Sequence, residues 1–386
     1  MSEIVSVLAP SARRARINRD PVELEIEQLA FLGLRMAFRQ SHSRPQLRQI
    51  ARWCLHRKLK LAKEWMAQRP FPKLQVRGRV NLHRAASQGN GVIIAACHVG
   101  QYHRIPLLLN DLGFPVALLL DEDNHAREQS EMDRWVSRYR GPLDRPVDYV
   151  NAELPTAAWK MSQTLRLGRV LFVYMDGGTG LQNCAPDKTS VEVKFCGLPL
   201  LVRRGLAHLS AFSGAPIVPA VAIKTPERNQ RVTFYSACSK HEREALDAYC
   251  PRALQYCYSI LEEHVLRDPA CWEEWYHLHR WIIYPDTYQA GTLLPPDAVQ
   301  GSLKSRFLFD RHRTEILRLP AGPVLFHTGT GAAIKLDTTI SAVLCAGRRP
   351  ALETDLIEAI PHTCERTDPV LLIRELVLSG FLRPLS

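Results

Sequence analysis

Four continuous apolar runs constrain the fold of this chain more than any other feature. They are GVIIAACH at 91–98, PVALLLDED at 115–123, RVLFVYMDGG at 169–178 and APIVPAVAI at 215–223. Each has the length of a strand, is rich in Val, Ile and Leu, and adjoins a stretch of helical periodicity. That combination predicts strands buried on both faces of a mainly parallel sheet with crossover helices, an α/β layer. In such sheets reactive groups collect beyond the carboxyl ends of the strands. The ends here are polar: Cys97-His98, Asp121-Glu122-Asp123 and Asp176-Gly177-Gly178.

The rest of the chain divides around this layer. Residues 1–80 form a basic helical region, with apolar positions at helical spacing over 22–67 and a break at Ser43 to Pro45. Residues 81–284 hold the α/β domain. The run 285–301, PDTYQAGTLLPPDAVQG, reads as a linker, and 302–386 as a small module with strands at 315–319, 324–327 and 332–336 and helices near 338–346, 352–360 and 368–379. The longest uncharged stretch, Gly205 to Ile223, is split by Ser213-Gly214, Pro216 and Pro219, so it reads as a helix, a turn and a strand and not as a membrane span.

A hydrophobic content of 46% with 23% charged residues excludes a disordered chain. The 50 Lys and Arg exceed the 39 Asp and Glu by 11, and residues 1–80, with 17 basic and 6 acidic side chains, hold all of that surplus. The excess points to one local anionic contact: a lipid headgroup surface, an acidic carrier protein or nucleic acid. Interleaving of Arg35, Arg39, Arg48, Arg52, Arg57 and Lys58 with apolar positions allows a helix face in a membrane interface, a solvated outer face being the commoner outcome. Ten cysteines without a CxxC pair, and no apolar leader in the first 20 residues, fit a reducing cytoplasmic setting, with a peripheral position on the inner membrane as the alternative.

The sharpest chemical feature is His98-Val-Gly-Gln-Tyr-His103 at the end of VIIAAC. A neutral imidazole at a strand end is placed to take a proton from an attacking hydroxyl or amine. A histidine that only hydrogen-bonds its loop is the plain alternative. Three further segments follow in order: VLFVYMD at 170–176, VKFCGLPLLVRRGLAHLSAFSGAPIVPAVAIK at 193–224 and LEEHVLRDPACWEEWYHLHRW at 261–281. With the histidine motif, these resemble the late acyltransferases of lipid A biosynthesis, the lauroyl and myristoyl transferase family related to the glycerol-phosphate acyltransferases. The resemblance spans about residues 20–284 and rests on the histidine motif, Phe195-x-Gly197-x-Pro199, the turn ending at Pro219 and the close from Trp272 to Trp281.

The resemblance implies transfer of an acyl group from a carrier-protein or coenzyme A thioester, with no permanently bound cofactor and no metal. His98 matches its base. The family's carboxylate five positions on is replaced by His103, which can orient a base but supplies no negative charge. Three readings stay open: catalysis is lost; a carboxylate from another strand end, Asp121, Glu122, Asp123 or Asp176, takes over; or the acceptor is an amine nucleophilic enough to need little help. Three acids at 121–123 oppose a phosphorylated acceptor unless they form a solvated loop. Arg203 and Arg204 are placed to hold the phosphate of a phosphopantetheine arm or a developing oxyanion, or form a surface pair. Asp176 matches a family position, and Gly177 and Gly178 make a flexible turn after it. Trp272, Trp275, Trp281, His277 and His279 read as packing.

The final module, from ILRLPAGPVLFHTGTGAAIKLDTTISAVLCAG to VLLIRELVLSGFLRP, is similar to the winged-helix domain of pyrroloquinoline-quinone biosynthesis that captures precursor peptides. That resemblance implies a peptide or carrier partner added as a strand at a sheet edge. With 11 basic and 9 acidic residues, 302–386 is too balanced for nucleic acid. The expectation is therefore an acyltransferase of a specialised natural-product pathway. A membrane-associated lipid acyltransferase and a non-catalytic carrier- or peptide-binding protein are the alternatives.

Overall fold

A computed structural model describes residues 20–66, 74–122, 129–130, 147–177, 188–224, 230–284, 306–360 and 369–385. The expected strand end at Asp123, the turn residue Gly178 and the linker at 285–301 lie outside the described residues. The chain forms two compact units, one of residues 30–283 and one of residues 284–386 with the start of the chain through Leu29.

In the first unit α1 (Pro21–Phe38, from Ala30 onward) and α2 (Arg44–Met66) are followed by β1 (Gln75–Arg77) and α3 (Arg79–Ala86). The break between α1 and α2 precedes Pro45 and does not include it. The Ser43 amide and hydroxyl both donate to Gln46 Oε1 at 2.8 Å, and Leu47 N donates to Ser43 O at 3.0 Å, so the helix starts at Arg44. Proline in a first turn loses no hydrogen bond, because its missing N–H would have had no helical acceptor. Leu47, Ile50, Ala51, Cys54 and Leu55 of α2 are buried, and Arg48, Arg52, Arg57 and Lys60 stay in solvent. The apolar side of this basic helix is therefore spent in the protein core.

The α/β layer follows with β2 (Val92–Gly100), α4 (Arg104–Asp111), β3 (Val116–Leu120), β4 (Asp148–Asn151), α5 (Ala157–Arg166) and β5 (Val170–Tyr174). A hairpin of β6 (Ser190–Phe195) and β7 (Leu198–Arg203) leads to α6 (Gly205–Ser213), β8 (Ile217–Lys224), β9 (Gln230–Phe234) and the long α7 (Leu246–Arg267). The seven-stranded sheet has the order β1-β9-β8-β2-β5-β3-β4. All its neighbours are parallel except β8 and β9. The four apolar runs are β2, β3, β5 and β8, and Gly205 to Ile223 is a helix, a turn and a strand as expected. β1, β4 and β9 were not foreseen, being too short or too polar to stand out.

Alternate residues of β2 serve the two faces. Ile93, Ala95, Cys97 and Val99 join a core built with α7 and the indoles of Trp272, Trp275 and Trp281. Val92, Ile94 and Ala96 join a core with Leu82, Ala85, Ile105 and Leu109 from α3 and α4. A strand buried on both sides must read as a continuous apolar run, and this one does.

The Phe195-x-Gly197-x-Pro199 motif is the turn of the β6–β7 hairpin, whose last pair is Phe195 with Leu198. Cys196 at φ 51° and Gly197 at φ 75° are both left-handed, as a two-residue type I′ turn requires. A β-carbon costs about 1 kcal/mol in that conformation, and asparagine tolerates it best. Cys196→Asn is expected to raise the melting temperature by roughly 1–3 °C in calorimetry; a fall would show that thiol packing outweighs backbone relief.

The second unit holds β10 (Arg306–Phe309), β11 (Thr314–Leu319), β12 (Gly322–His327), β13 (Ala333–Lys335), α8 (Thr338–Ala346), β14 (Ala351–Leu352), α9 (Glu353–Glu358), α10 (Pro369–Leu378) and β15 (Leu382–Leu385). One sheet runs β14-β10-β15 and another β11-β12-β13, over a core that includes Leu325, Ile340, Val343, Leu356, Ile373, Leu376 and Phe381. Asp337 caps α8 by accepting from Ile340 N at 2.8 Å. The three strands and three helices read from the sequence stand where expected; the sheet made by the module's first and last strands does not follow from local pattern.

Candidate active site

The register of the two central strands builds the site. β2 and β5 are parallel neighbours with Ala96 opposite Tyr174 as the last pair, and Met175 N donates to Ala96 O at 2.9 Å, so the residues just past that pair meet. His98, still within β2, and Asp176, beyond the end of β5, each lie two residues past the last pair of the two strands. Asp176 Oδ1 lies 2.8 Å from His98 Nδ1, and Oδ2 accepts from His98 N at 2.8 Å. Trp272 Nε1 donates to the same Oδ2 at 2.7 Å. Three donors thus fix a carboxylate that is 1% exposed, and the carboxylate fixes the imidazole with Nε2 left for a ligand.

The chain around His98 is held equally firmly. Gly100 has φ +60°, and a β-carbon there would lie 2.1 Å from Ala222 O, so only glycine permits the register of β2 against β8 to shift after Ala96. The segment after α7 crosses this end: Glu273 N donates to His98 O at 3.0 Å, and Val99 bridges Trp272. The rings of Tyr102 and Tyr174 flank the imidazole, each with its centroid 4.7 Å away.

His98 opens on a cavity of about 1690 Å³. Its walls include His103, Asp121, Tyr174, Asp176, Gly177, Arg203, Lys58, Glu274 and His277, with Met161, Leu206, Leu209, Leu254 and Phe212 supplying apolar surface. The expected site residues His98, His103, Asp121, Asp176, Gly177 and Arg203 therefore share one cavity. Arg204 does not line it; its guanidinium pairs with Asp247 at 3.0 Å and donates to Lys188 O at 3.2 Å. The partner of His98 Nδ1 is Asp176 and not His103. The orienting group comes from the adjacent strand end and carries the charge that a second imidazole lacks.

Charge inside the wall decides how His98 titrates. Burial pushes its pKa down, but Asp176 and then Glu274 and Glu273 outweigh burial and hold the imidazole at about 9. Burial also works against Lys58, yet Glu273, 3.3 Å from its ammonium, and Tyr276 keep it above its usual value. Glu274 is pushed up by burial and drawn down further by His98 and His277, so it stays below the usual carboxylate range. His279 is driven down to about 4 by burial and by Arg280 and His277, as suits a packing residue. Lys58, Tyr174, Glu274 and His277 were missed as site residues. The only sequence signal for the last two was a pair of acids between tryptophans, WEEW, because buried acids require partners.

Among the described residues no group of three or more His, Cys, Asp or Glu could hold a metal ion. No described helix is long and apolar enough to cross a membrane. No protein-family model matches the chain, and no curated protein does. Among solved structures, it is similar to the 1-acyl-sn-glycerophosphate acyltransferase PlsC from Thermotoga maritima. The identity is 14%, the match covers 64% of this chain and 97% of that one, and the TM-score is 0.30.

Proposed function

We propose that the protein is an acyltransferase that moves an acyl group from a carrier-protein or coenzyme A thioester to an amine or hydroxyl acceptor, in a specialised biosynthetic pathway. The observation that carries this reading is an imidazole held by a buried carboxylate at the carboxyl end of a central strand and open to a large, partly apolar cavity. His98 Nε2 takes the acceptor proton as the nucleophile attacks the thioester carbonyl, and Asp176 stabilises the imidazolium that forms. The apolar wall accepts the acyl chain, and Arg203 meets the phosphate of the donor arm. The unit containing residues 306–385 is the proposed docking module for the carrier or a peptide, through the edge strand β13. The test is incubation with acyl-loaded carrier protein and acyl-coenzyme A against a panel of amines and alcohols, read by mass spectrometry. Acylated acceptor is expected; no product from any donor, with the carrier still bound, would replace the enzyme by a receptor.

The pH dependence has a definite sign. A base that titrates near 9 is protonated at neutral pH, so kcat/KM for an aryl thioester, whose thiolate leaves without a proton, is expected to climb about tenfold per pH unit from 7 toward 8.5 and to level near 9. The same group contributes stability that is complete below about 6.5 and is lost as pH rises through about 9, so the rate rises while this contribution fades. A flat profile with that ester between pH 6.5 and 9 would contradict the assignment.

A lipid acceptor is the second reading, favoured by Trp159 and Phe212, which line the cavity and are 63% and 76% exposed. Sedimentation with anionic liposomes, reversed by salt and lost in Trp159→Ala/Phe212→Ala, would support it over a soluble acceptor.

A further inference from the structure

A second carboxylate–imidazole pair faces the cavity that His98 lines. Glu274 Oε2 lies 2.6 Å from His277 Nδ1, and Tyr276 OH donates to Glu274 Oε1 at 3.5 Å. The pattern repeats that of the first pair: the His277 and His98 side chains are 20% and 18% exposed, and those of their acids 4% and 0%. Both imidazoles line the cavity. With Nδ1 committed to Glu274, Nε2 is the nitrogen that His277 presents to a ligand. The segment that carries the pair is tied to the first pair by Glu273 N on His98 O and by Trp272 on both Val99 and Asp176. Packing alone does not account for a buried glutamate that spends its charge on a cavity-lining imidazole.

We infer that the Glu274–His277 pair is a second acid–base group of the same site, which protonates the departing thiol while His98 deprotonates the acceptor. This rests on the acyl-transfer reading. As the acceptor oxygen or nitrogen bonds to the acyl carbon, its proton passes to His98 Nε2. The carbon–sulfur bond breaks with its electron pair on sulfur, and sulfur takes the Nε2 proton of the His277 imidazolium, which keeps its Nδ1 proton on Glu274. The products are the acylated acceptor and a free thiol, and solvent returns one proton to His277 and removes one from His98. A strongly basic His98 is well suited to accept a proton and poorly suited to give it up, which leaves the donor role to a separate imidazole.

Leaving-group dependence tests this. The probes are the octanoyl thioesters of N-acetylcysteamine, an alkyl thiol whose departure benefits from protonation, and of thiophenol, whose thiolate leaves unaided. His277→Gln is expected to lose about 100-fold with the alkyl thioester and less than about 5-fold with the aryl one, and Glu274→Gln to show the same selective loss at smaller size. His98→Gln is expected to lose activity with both. The ratio of the two rates within one preparation cancels any loss of folded protein. Equal losses on both esters, or none, would overturn the second acid–base pair and leave acyl transfer intact. A wild-type protein that consumes neither ester would overturn both together.

Discussion

Replacing Asp176 by asparagine is expected to lower acyl transfer by about 10³–10⁴-fold and to move the rise of the pH–rate profile to lower pH. Asp176 receives three hydrogen bonds, from His98 N, His98 Nδ1 and Trp272 Nε1. An asparagine has one oxygen and an NH₂ that can only donate, so at least one of those donors faces another donor. If the NH₂ meets Nδ1, the imidazole must turn its acceptor nitrogen inward, and Nε2 then carries the proton and cannot take one. In a serine hydrolase triad the same exchange costs about 10⁴ in rate. The downward pH shift separates this from misplacement, because removing the carboxylate removes the largest influence holding His98 near 9. The variant also leaves a buried donor unpaired, at a cost of about 1–3 kcal/mol, which calorimetry reads independently.

His98→Gln is expected to reduce turnover by about 10²–10⁴-fold while binding of the thioester stays within a few-fold. Glutamine retains a polar side chain but has no site that accepts a proton near neutral pH. Asp176 and Trp272 remain bonded to each other and to the His98 backbone amide, so the frame survives. A loss in KM with unchanged kcat would instead make residue 98 a binding group.

The parts of the site that local pattern reveals are its strand ends. A run that is apolar on every residue and stops at a histidine, or at an aspartate before two glycines, marks both a buried parallel strand and a polar group at its rim; His98 and Asp176 were legible for that reason. Which of the four strand-end acids would meet His98 was not, because which strands lie side by side, and in what register, depends on contacts 78 residues apart in the chain. Position 103 attracted attention through the resemblance to a sequence motif, yet the charge needed beside His98 arrives through the sheet. Trp272 read as packing and is packing, fully buried against Phe195 and Trp275, while its indole N–H also donates to the Asp176 carboxylate. Glu274 begins a short 3₁₀ turn and His277 links it to the next, with no periodicity to interpret. In the second unit the helices and the strands β11, β12 and β13 were visible from local pattern, whereas the pairing of β10 with β14 and β15 joins residues too far apart to read locally.

The claim on which the rest depends is that His98 and Asp176 act as one unit on the acceptor's proton. A double-mutant cycle of wild type, H98Q, D176N and the double variant, assayed for acyl transfer from one thioester, measures that directly. If the carboxylate works through the imidazole, the double variant is no slower than H98Q alone. A double variant slowed by the product of the two single losses would mean that the residues act independently, and the dyad would have to be abandoned.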